Sequence, residues 1–365
     1  MSETVLKAEE KVAFALRALY KKYGYLPYKM SKFEAYDLYV SNKDFLRDDG
    51  VITFNDTDGK LLALKPDVTL SIIKNGKDDD GKQKVFYHEN VYRISGESKQ
   101  FKELGQIGLE CIGENSAYDI YETVFLAAAS LNEISEKFVL DISHLGVVLG
   151  VLDEIGKGEA FKAQAAACLA EKNLHGMQSL CENYGVESAQ TEKLLAIVRA
   201  YGEPETVLKT LAPYCKEGKT AAAFAELATL CSLLKNSPFA DKIRLDFSVI
   251  NAFKYYNGVV FKGFLDGVCE GVLSGGQYDG LMRRMGRKAG AIGFAVYLDL
   301  LSGLQKQKNA FDVDVLVLYD ENTPAEKVAK TMNELTASGK SARAQRNAGK
   351  LRFQETVDLR GAEND

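Results

Sequence analysis

The stretch Gly105-Gln-Ile-Gly-Leu-Glu-Cys-Ile-Gly113 constrains this chain more than any other. Its apolar and polar residues alternate with period two, the signature of a β-strand, whose successive side chains leave on opposite faces. Gln106, Gly108 and Glu110 then share one face, and Ile107, Leu109 and Cys111 share the other. The apolar face belongs to a core. The opposite face carries an amide, a gap with no side chain and a carboxylate. That pattern suits a small flat ligand: the glycine leaves room, the carboxylate accepts from an N–H or ammonium, and the amide donates or accepts. An edge strand with a solvated polar face produces the same alternation, so the surrounding chain must decide between them.

Hairpins and meanders dominate that surrounding chain. Residues 4–23 read as an amphipathic helix with Val12, Leu16, Leu19 and Tyr23 on one side. Apolar runs at 51–54 and 61–64 flank Asn55-Asp-Thr-Asp-Gly59, a hairpin signal. Lys65-Pro-Asp-Val-Thr69 opens a helix, with the proline in its first turn. A strand over 84–93, a polar loop over 95–103, the opening strand, a helix over 117–135 and a strand over 138–142 follow. From 144 to 237 the chain is rich in Ala, Leu, Glu and Lys, without strand-type runs, and reads as helical throughout. Strands return at 243–249, 255–264 and 269–274, followed by a helix carrying Gly290, Gly293 and Ala295. After a polar linker, the tail reads as a strand at 313–318, a helix over 324–337 and one more strand near 342. The order predicts a mostly antiparallel α+β core in a chain of two or three domains.

Composition narrows the function. The 365 residues carry a net charge of −5 with no long basic stripe, which speaks against a nucleic-acid binder. The short run Met282-Arg-Arg-Met-Gly-Arg-Lys288 reads first as a solvated loop. Six cysteines (111, 168, 181, 215, 231, 269) and three histidines (88, 144, 175) show no metal-ligand spacing, so buried free thiols in a reducing compartment and no metal are expected. No apolar run is long enough to span a bilayer, and the expected location is cytoplasmic.

Four further groups carry candidate chemistry, each with a plainer alternative. Asp67 and Thr69 cap a helix or accept hydrogen bonds from a ligand ammonium. Arg93 makes a surface ion pair or forks onto a carboxylate or phosphate. Tyr255 and Tyr256 are adjacent, so as strand residues only one of them can line a given pocket. Gly275 and Gly276 follow a strand and permit close backbone approach, but the segment lacks the lysine and hydroxyl of a P-loop.

In order, these segments resemble the catalytic core of class II histidyl-tRNA synthetases over residues 8–145 and 243–303. The resemblance rests on Lys65-Pro-Asp-Val-Thr69, on Val91-Tyr-Arg93 with Gln106-Ile-Gly-Leu-Glu110, on Tyr255-Tyr-Asn-Gly-Val-Val-Phe261, and on Gly275-Gly-Gln-Tyr-Asp-Gly-Leu281 with Gly290-Ala-Ile-Gly-Phe-Ala295. It implies an α+β fold: an antiparallel sheet flanked by helices, formed by residues 1–143 and 238–304, with a helical insertion at 144–237 and a partial anticodon-binding-like α/β segment at 311–365. It also implies a histidine pocket. Asp67, Thr69 and Gln106 match positions that hold the amino group. Glu110 and Tyr256, the latter paired with Tyr255, match positions that meet the imidazole. Arg93 matches the arginine directed at the carboxylate or phosphate side, and Gly275, Gly276 and Tyr278 line the floor.

The departures point away from catalysis. Asn251 stands near the place of the family's histidine-specific arginine, and Lys254 replaces an acidic residue. Ser95 replaces a glutamate, Leu300 the arginine for the ATP phosphates, and Tyr297 a glycine that admits the nucleotide. Adenylate formation concentrates negative charge in its transition state, which fixed cations stabilise. A histidine pocket without them is similar to the regulatory subunits of ATP phosphoribosyltransferase. That family implies a hetero-oligomer, containing a self-dimer, with the short-form catalytic subunit of the first step of histidine biosynthesis. It implies activation of that partner, feedback inhibition by L-histidine, no catalytic residues or cofactor in this chain, and no tRNA or membrane. The competing expectations are a working synthetase and a synthetase-like amino-acid sensor with another partner.

Overall fold

The computed structural model describes residues 6–42, 50–76, 81–94, 100–250, 256–301 and 311–361. Two compact units divide the chain, residues 1–304 and 305–365. The first begins with α1 (Ala8–Lys22), β1 (Leu26–Pro27), β2 (Phe33–Ala35), α2 (Tyr36–Val40), β3 (Thr53–Asn55), β4 (Leu61–Leu64) and α3 (Val68–Asn75). The long hairpin β5 (Gln83–Ile94) and β6 (Phe101–Gly113) follows, then α4 (Ala117–Ile134) and β7 (Phe138–His144). Helices α5 (Leu145–Ile155), α6 (Gly158–Ala170), α7 (Leu174–Asn183) and α8 (Ser188–Arg199) lead through β8 (Tyr201–Gly202) to α9 (Pro204–Leu211) and α10 (Gly218–Leu234). The unit closes with β9 (Ile243–Asp246), β10 (Val259–Leu265), β11 (Leu273–Gln277), α11 (Asp279–Arg284) and β12 (Gly290–Tyr297).

Nine strands form one sheet in the order β1-β5-β6-β12-β11-β10-β7-β9-β8. The pairs β1–β5 and β7–β9 are parallel and the others antiparallel. Strand β6 is interior, hydrogen-bonded to β5 and β12, and both faces are buried from Gln106 to Gly113. The edge-strand alternative for this segment therefore fails. One face of the sheet is apolar: Ile142, Phe261, Gly275, Phe294, Leu109 and Phe86 face each other across successive rungs. Against it pack Leu16 and Tyr20 of α1 and Val124, Ala127 and Leu131 of α4. Tyr20 meets the rings of Phe86 and Phe294 at 6.1 and 6.0 Å. Each such side chain, fully buried, contributes about 1.5–3 kcal/mol. Helix α4 starts on a capping box in which Asp119 accepts from Ser116 N at 2.8 Å and Ser116 accepts from Asp119 N at 3.4 Å.

Between β7 and β9 the chain is helical apart from β8, a two-residue strand on β9 that the composition does not reveal. These helices share one continuous core with the sheet. Gly150 brings α5 against Thr220 of α10 at a distance that leaves no room for a Cβ. The hairpin at 51–64 forms as expected, Thr53 opposite Ala63, with β2 on its other side.

Several expectations fail, beginning with strand bounds: β9 ends at Asp246, β11 begins at Leu273 and β6 begins at Phe101. Gly290–Tyr297 is strand β12 rather than a helix. The basic run at 282–288 is not simply a solvated loop: Met282 is fully buried, and Arg287 donates to Ile73 O at 2.9 Å, closing the end of α3. Cys269 is exposed rather than buried. The second unit holds β13 (Val313–Leu318), α12 (Ala325–Ala337), β14 (Ala342–Gln345) and an unforeseen β15 (Phe353–Asp358), in a parallel sheet ordered β14-β13-β15.

Candidate functional site

Strand register builds the site. Residues paired across a ladder share a face, and two rungs on the face opposite the apolar layer carry most of the polar groups. One rung runs Ser143, Val260, Gly276, Gly293, Glu110. The next runs Asp141, Lys262, Ser274, Ala295, Gly108, Tyr87. Beside them Tyr297 faces Gln106, which faces Glu89.

Glu110 is the centre. It is 2% exposed, accepts from Thr69 Oγ1 at 2.8 Å and accepts from the Tyr278 hydroxyl at 2.5 Å. Burial pushes its carboxyl up to about 8; the hydrogen bonds from Tyr278 and Thr69 oppose the rise and the charge of Asp67 adds to it. Gly293 stands opposite Glu110, and a Cβ there would collide with the carboxylate and lie 2.5 Å from Leu109 O. The glycine makes the carboxylate possible.

Asp67 takes the capping role. It caps α3, accepting from Leu70 N at 2.9 Å, and its side chain lines the recess over Glu110. Thr69 donates to Glu110 at 2.8 Å, which leaves its lone pairs available as acceptors. Arg93 Nε donates to Pro66 O at 2.9 Å, and the residue lines the recess; among the described residues it makes no ion pair. Gln106 is 4% exposed and has no side-chain hydrogen bond among the described residues. Lys65, fully buried, pairs with Glu89 at 3.0 Å beneath the Asp67 turn. Burial lowers the lysine's pKa more than the glutamate restores it.

Two expectations need correction. The gap at Gly108 is not open: a Cβ there would meet the Tyr87 hydroxyl at 2.6 Å and its ring at 2.8 Å. The ring over the glycine is the protein's own. Gly275 faces away from the pocket, since a Cβ would strike Phe294 and Phe261 of the apolar layer at 2.5 and 2.6 Å. Only its backbone borders the outer cleft. Gly276 does face the site side, its Cβ position 3.0 Å from the Tyr256 ring. Tyr255, Asn251, Lys254 and Ser95 lie outside the described residues.

Two connected spaces result. The inner recess, about 40 Å³, is lined by Asp67, Thr69, Tyr87, Arg93, Gln106, Glu110, Tyr256 and Tyr278, with Ser274, Gly293 and Tyr297. That volume holds about three waters, so entry of a ligand ring requires side chains at its neck to move. Arg93, Gln106, Tyr256, Ser274 and Tyr297 also line an outer cleft of about 890 Å³, which Leu300 borders. At its far end Asp141 is pushed up to about 6 by burial and by Asp246. Asp246 in turn accepts from Lys172 Nζ at 2.7 Å. Tyr87, Ser274 and Gly293 were missed by sequence reasoning; the signal for each is a cross-strand partner, visible only once the register is known. Among the described residues no group of three or more potential ligands could hold a metal ion, and no helix is long and apolar enough to cross a membrane.

Comparison with known proteins agrees with this architecture. Residues 2–301 match the histidyl-tRNA synthetase family. An ATP phosphoribosyltransferase regulatory subunit from Desulfitobacterium hafniense (strain Y51) is 30% identical over 290 residues, covering 78% of this chain and 74% of that protein. A solved structure from Bacillus halodurans, described as an ATP phosphoribosyltransferase regulatory subunit/histidyl-tRNA synthetase, superposes with a TM-score of 0.78 over 99% of this chain and 97% of its own, at 22% identity. A chain of the ATP phosphoribosyl transferase (HisG:HisZ) complex from Thermotoga maritima superposes with a TM-score of 0.63 over 80% of this chain and 97% of its own, at 21% identity. The fold is that of the class II synthetases, and the chain belongs to the histidyl-tRNA synthetase family, in the group of the ATP phosphoribosyltransferase regulatory subunits.

Proposed function

We propose that this chain is the regulatory partner of a short-form ATP phosphoribosyltransferase catalytic subunit, and that its inner recess binds L-histidine. The observation that carries the reading is the pairing of an intact recess with an altered mouth. Asp67, Thr69, Gln106, Glu110, Tyr256 and Tyr278 converge on one space. Tyr297 and Leu300 border the cleft where the family would handle ATP. The name of the D. hafniense relative and the composition of the T. maritima complex support the choice of partner. In this reading the phosphoribosyl transfer to ATP occurs in the partner. This chain activates it, and histidine favours one arrangement of the hetero-oligomer over another. The coupling is reciprocal, since each ligand changes the other's affinity by the same factor. The assembly contains a dimer of this chain.

The test is calorimetry of histidine into the purified chain, with and without the short catalytic subunit, alongside sizing of the mixture. Complex formation together with histidine binding supports the reading. Complex formation without binding leaves an activating scaffold and moves the feedback site elsewhere. Absence of both complex formation and histidine binding returns the chain to the synthetase reading.

A further inference from the structure

Glu110 is a buried carboxyl whose two oxygens each accept a hydroxyl, from Thr69 and Tyr278, and neither bond comes from a cation. The groups facing it are few. Helix α3 presents Asp67, a second acid, and β5 presents Tyr87 and Arg93. Opposite it, β12 presents Gly293 and, toward the neck, Tyr297, and Tyr256 before β10 also lines the recess; none of these is a cation. Among the described residues lining the recess Arg93 is the one cation, and its Nε is turned to Pro66 O. An ionised Glu110 in this setting is a desolvated charge without a counter-ion, a costly arrangement that a protein avoids by keeping the proton.

We propose that Glu110 carries a proton in the empty recess and shares that proton with the ring of the bound ligand, which becomes cationic without drawing a proton from solution. The inference rests on the reading of the recess as a histidine site. The balance is simple. Free imidazole is mostly neutral at pH 7, with an ordinary pKa of about 6.5. Its lone-pair nitrogen takes the proton from the Glu110 carboxyl, leaving a carboxylate still held by Thr69 and Tyr278 and now facing an imidazolium. One proton is present before and one after. The raised carboxyl, at about 8, agrees with this assignment. Below the ring's own pKa a second proton must be lost on binding, and above that of Glu110 one must be gained. The contribution of this pair to affinity is then level across neutral pH and falls about tenfold per pH unit above about 8.

Histidine titrations of the full chain in two buffers of different ionisation enthalpy count the protons. The expected result is about zero protons taken up at pH 7 and, at pH 9, about 0.9 of a proton more than Glu110→Gln takes up, from the carboxyl at about 8 and the linkage relation. Glu110→Gln keeps the shape and cannot give up a proton, so its uptake at pH 9 is that of the ligand's α-amino group alone, which adds equally to both proteins. Uptake of about three quarters of a proton at pH 7 overturns the proposal, because the ring's proton would then come from solution onto an already ionised Glu110. Equal uptake by wild type and Glu110→Gln at pH 9 also overturns it, because Glu110 and the ring would then hold no shared proton in the complex. A chain that binds no histidine overturns the reading of the recess and this inference together. Infrared difference spectra of the empty protein, wild type against Glu110→Gln, separate the two failures. A protonated carboxyl band at pH 7 that is gone by pH 10 is expected, and its absence at pH 7 sinks the proton assignment even where histidine binds.

Discussion

Replacing Glu110 by glutamine should make the folded protein less sensitive to alkali. The carboxyl is pushed from its ordinary 4.5 to about 8 in the folded chain, and every tenfold change in proton affinity is worth about 1.36 kcal/mol. An unfolded chain releases this proton near pH 4.5, whereas the folded chain holds it until about pH 8. Between those values the unfolded state binds fewer protons, so stability falls as pH rises. The loss from this one group is about 3–4 kcal/mol between pH 5 and pH 8, levelling off at about 4 kcal/mol at higher pH. Glutamine does not titrate, and the hydroxyls of Thr69 and Tyr278 can turn to meet an amide as readily as a carboxylate. Urea unfolding of wild type and Glu110→Gln at pH 5 and pH 8 gives four free energies, and the difference of differences isolates the group. Asp141, raised to about 6 by burial, shifts stability in the same direction but is common to both proteins. Parallel pH profiles for the two would refute the argument that burial outweighs the two hydroxyl bonds at Glu110.

Gly293→Ala places a methyl group on the Glu110 carboxylate and against Leu109 O; a cost of about 1–3 kcal/mol is expected from overpacking, with loss of histidine binding by calorimetry, and a fully stable, histidine-binding variant would contradict the geometry. Lys65→Ala strands Glu89 beneath the Asp67 turn and should cost about 3 kcal/mol in denaturant unfolding, most of it regained when Glu89 is also changed to glutamine. Histidine-dependent ATP–pyrophosphate exchange should be undetectable in the isolated chain; measurable exchange would show that Tyr297 and Leu300 leave adenylation intact. Glu110→Ala should abolish histidine binding, and unchanged affinity would remove Glu110 from the site.

Much of the site was legible because period two survives in the strand that matters most. Gln106, Gly108 and Glu110 share a face in the sequence and in the fold. Strand β12 was not legible. Gly290-Ala-Ile-Gly-Phe-Ala295 is apolar or small at every position because both of its faces are covered, and a strand buried on both sides loses its alternation. Its glycine also mimics a helix-packing residue, although the glycine is there to make room for a carboxylate on the neighbouring strand. Tyr87 escaped for another reason. Its place over Gly108 depends on the register of the β5–β6 hairpin, which pairs the two directly. A slip of one residue would send it to the other face. Gly275 and Gly276 look equivalent in sequence, yet alternation gives one to the apolar layer and the other to the site.

Under the proposed reading, the same ladder geometry lets a ligand pocket persist while the cleft beside it changes. Gln106, opposite Tyr297, and Glu110, opposite Gly293, lie on one strand and one face. Four residues of extended chain separate them by about 13 Å. Tyr297 therefore shapes the neck and the outer cleft from the far end of that face. Leu300, in the helical turn Leu298–Leu301 beyond the end of β12, is farther along the chain still. Substitutions at that end alter what can lie over the cleft, while Thr69, Tyr278 and Gly293 continue to shape the recess around Glu110. A rigid interior strand makes the two ends separable, because neither can move the other without breaking the ladder on both of its sides.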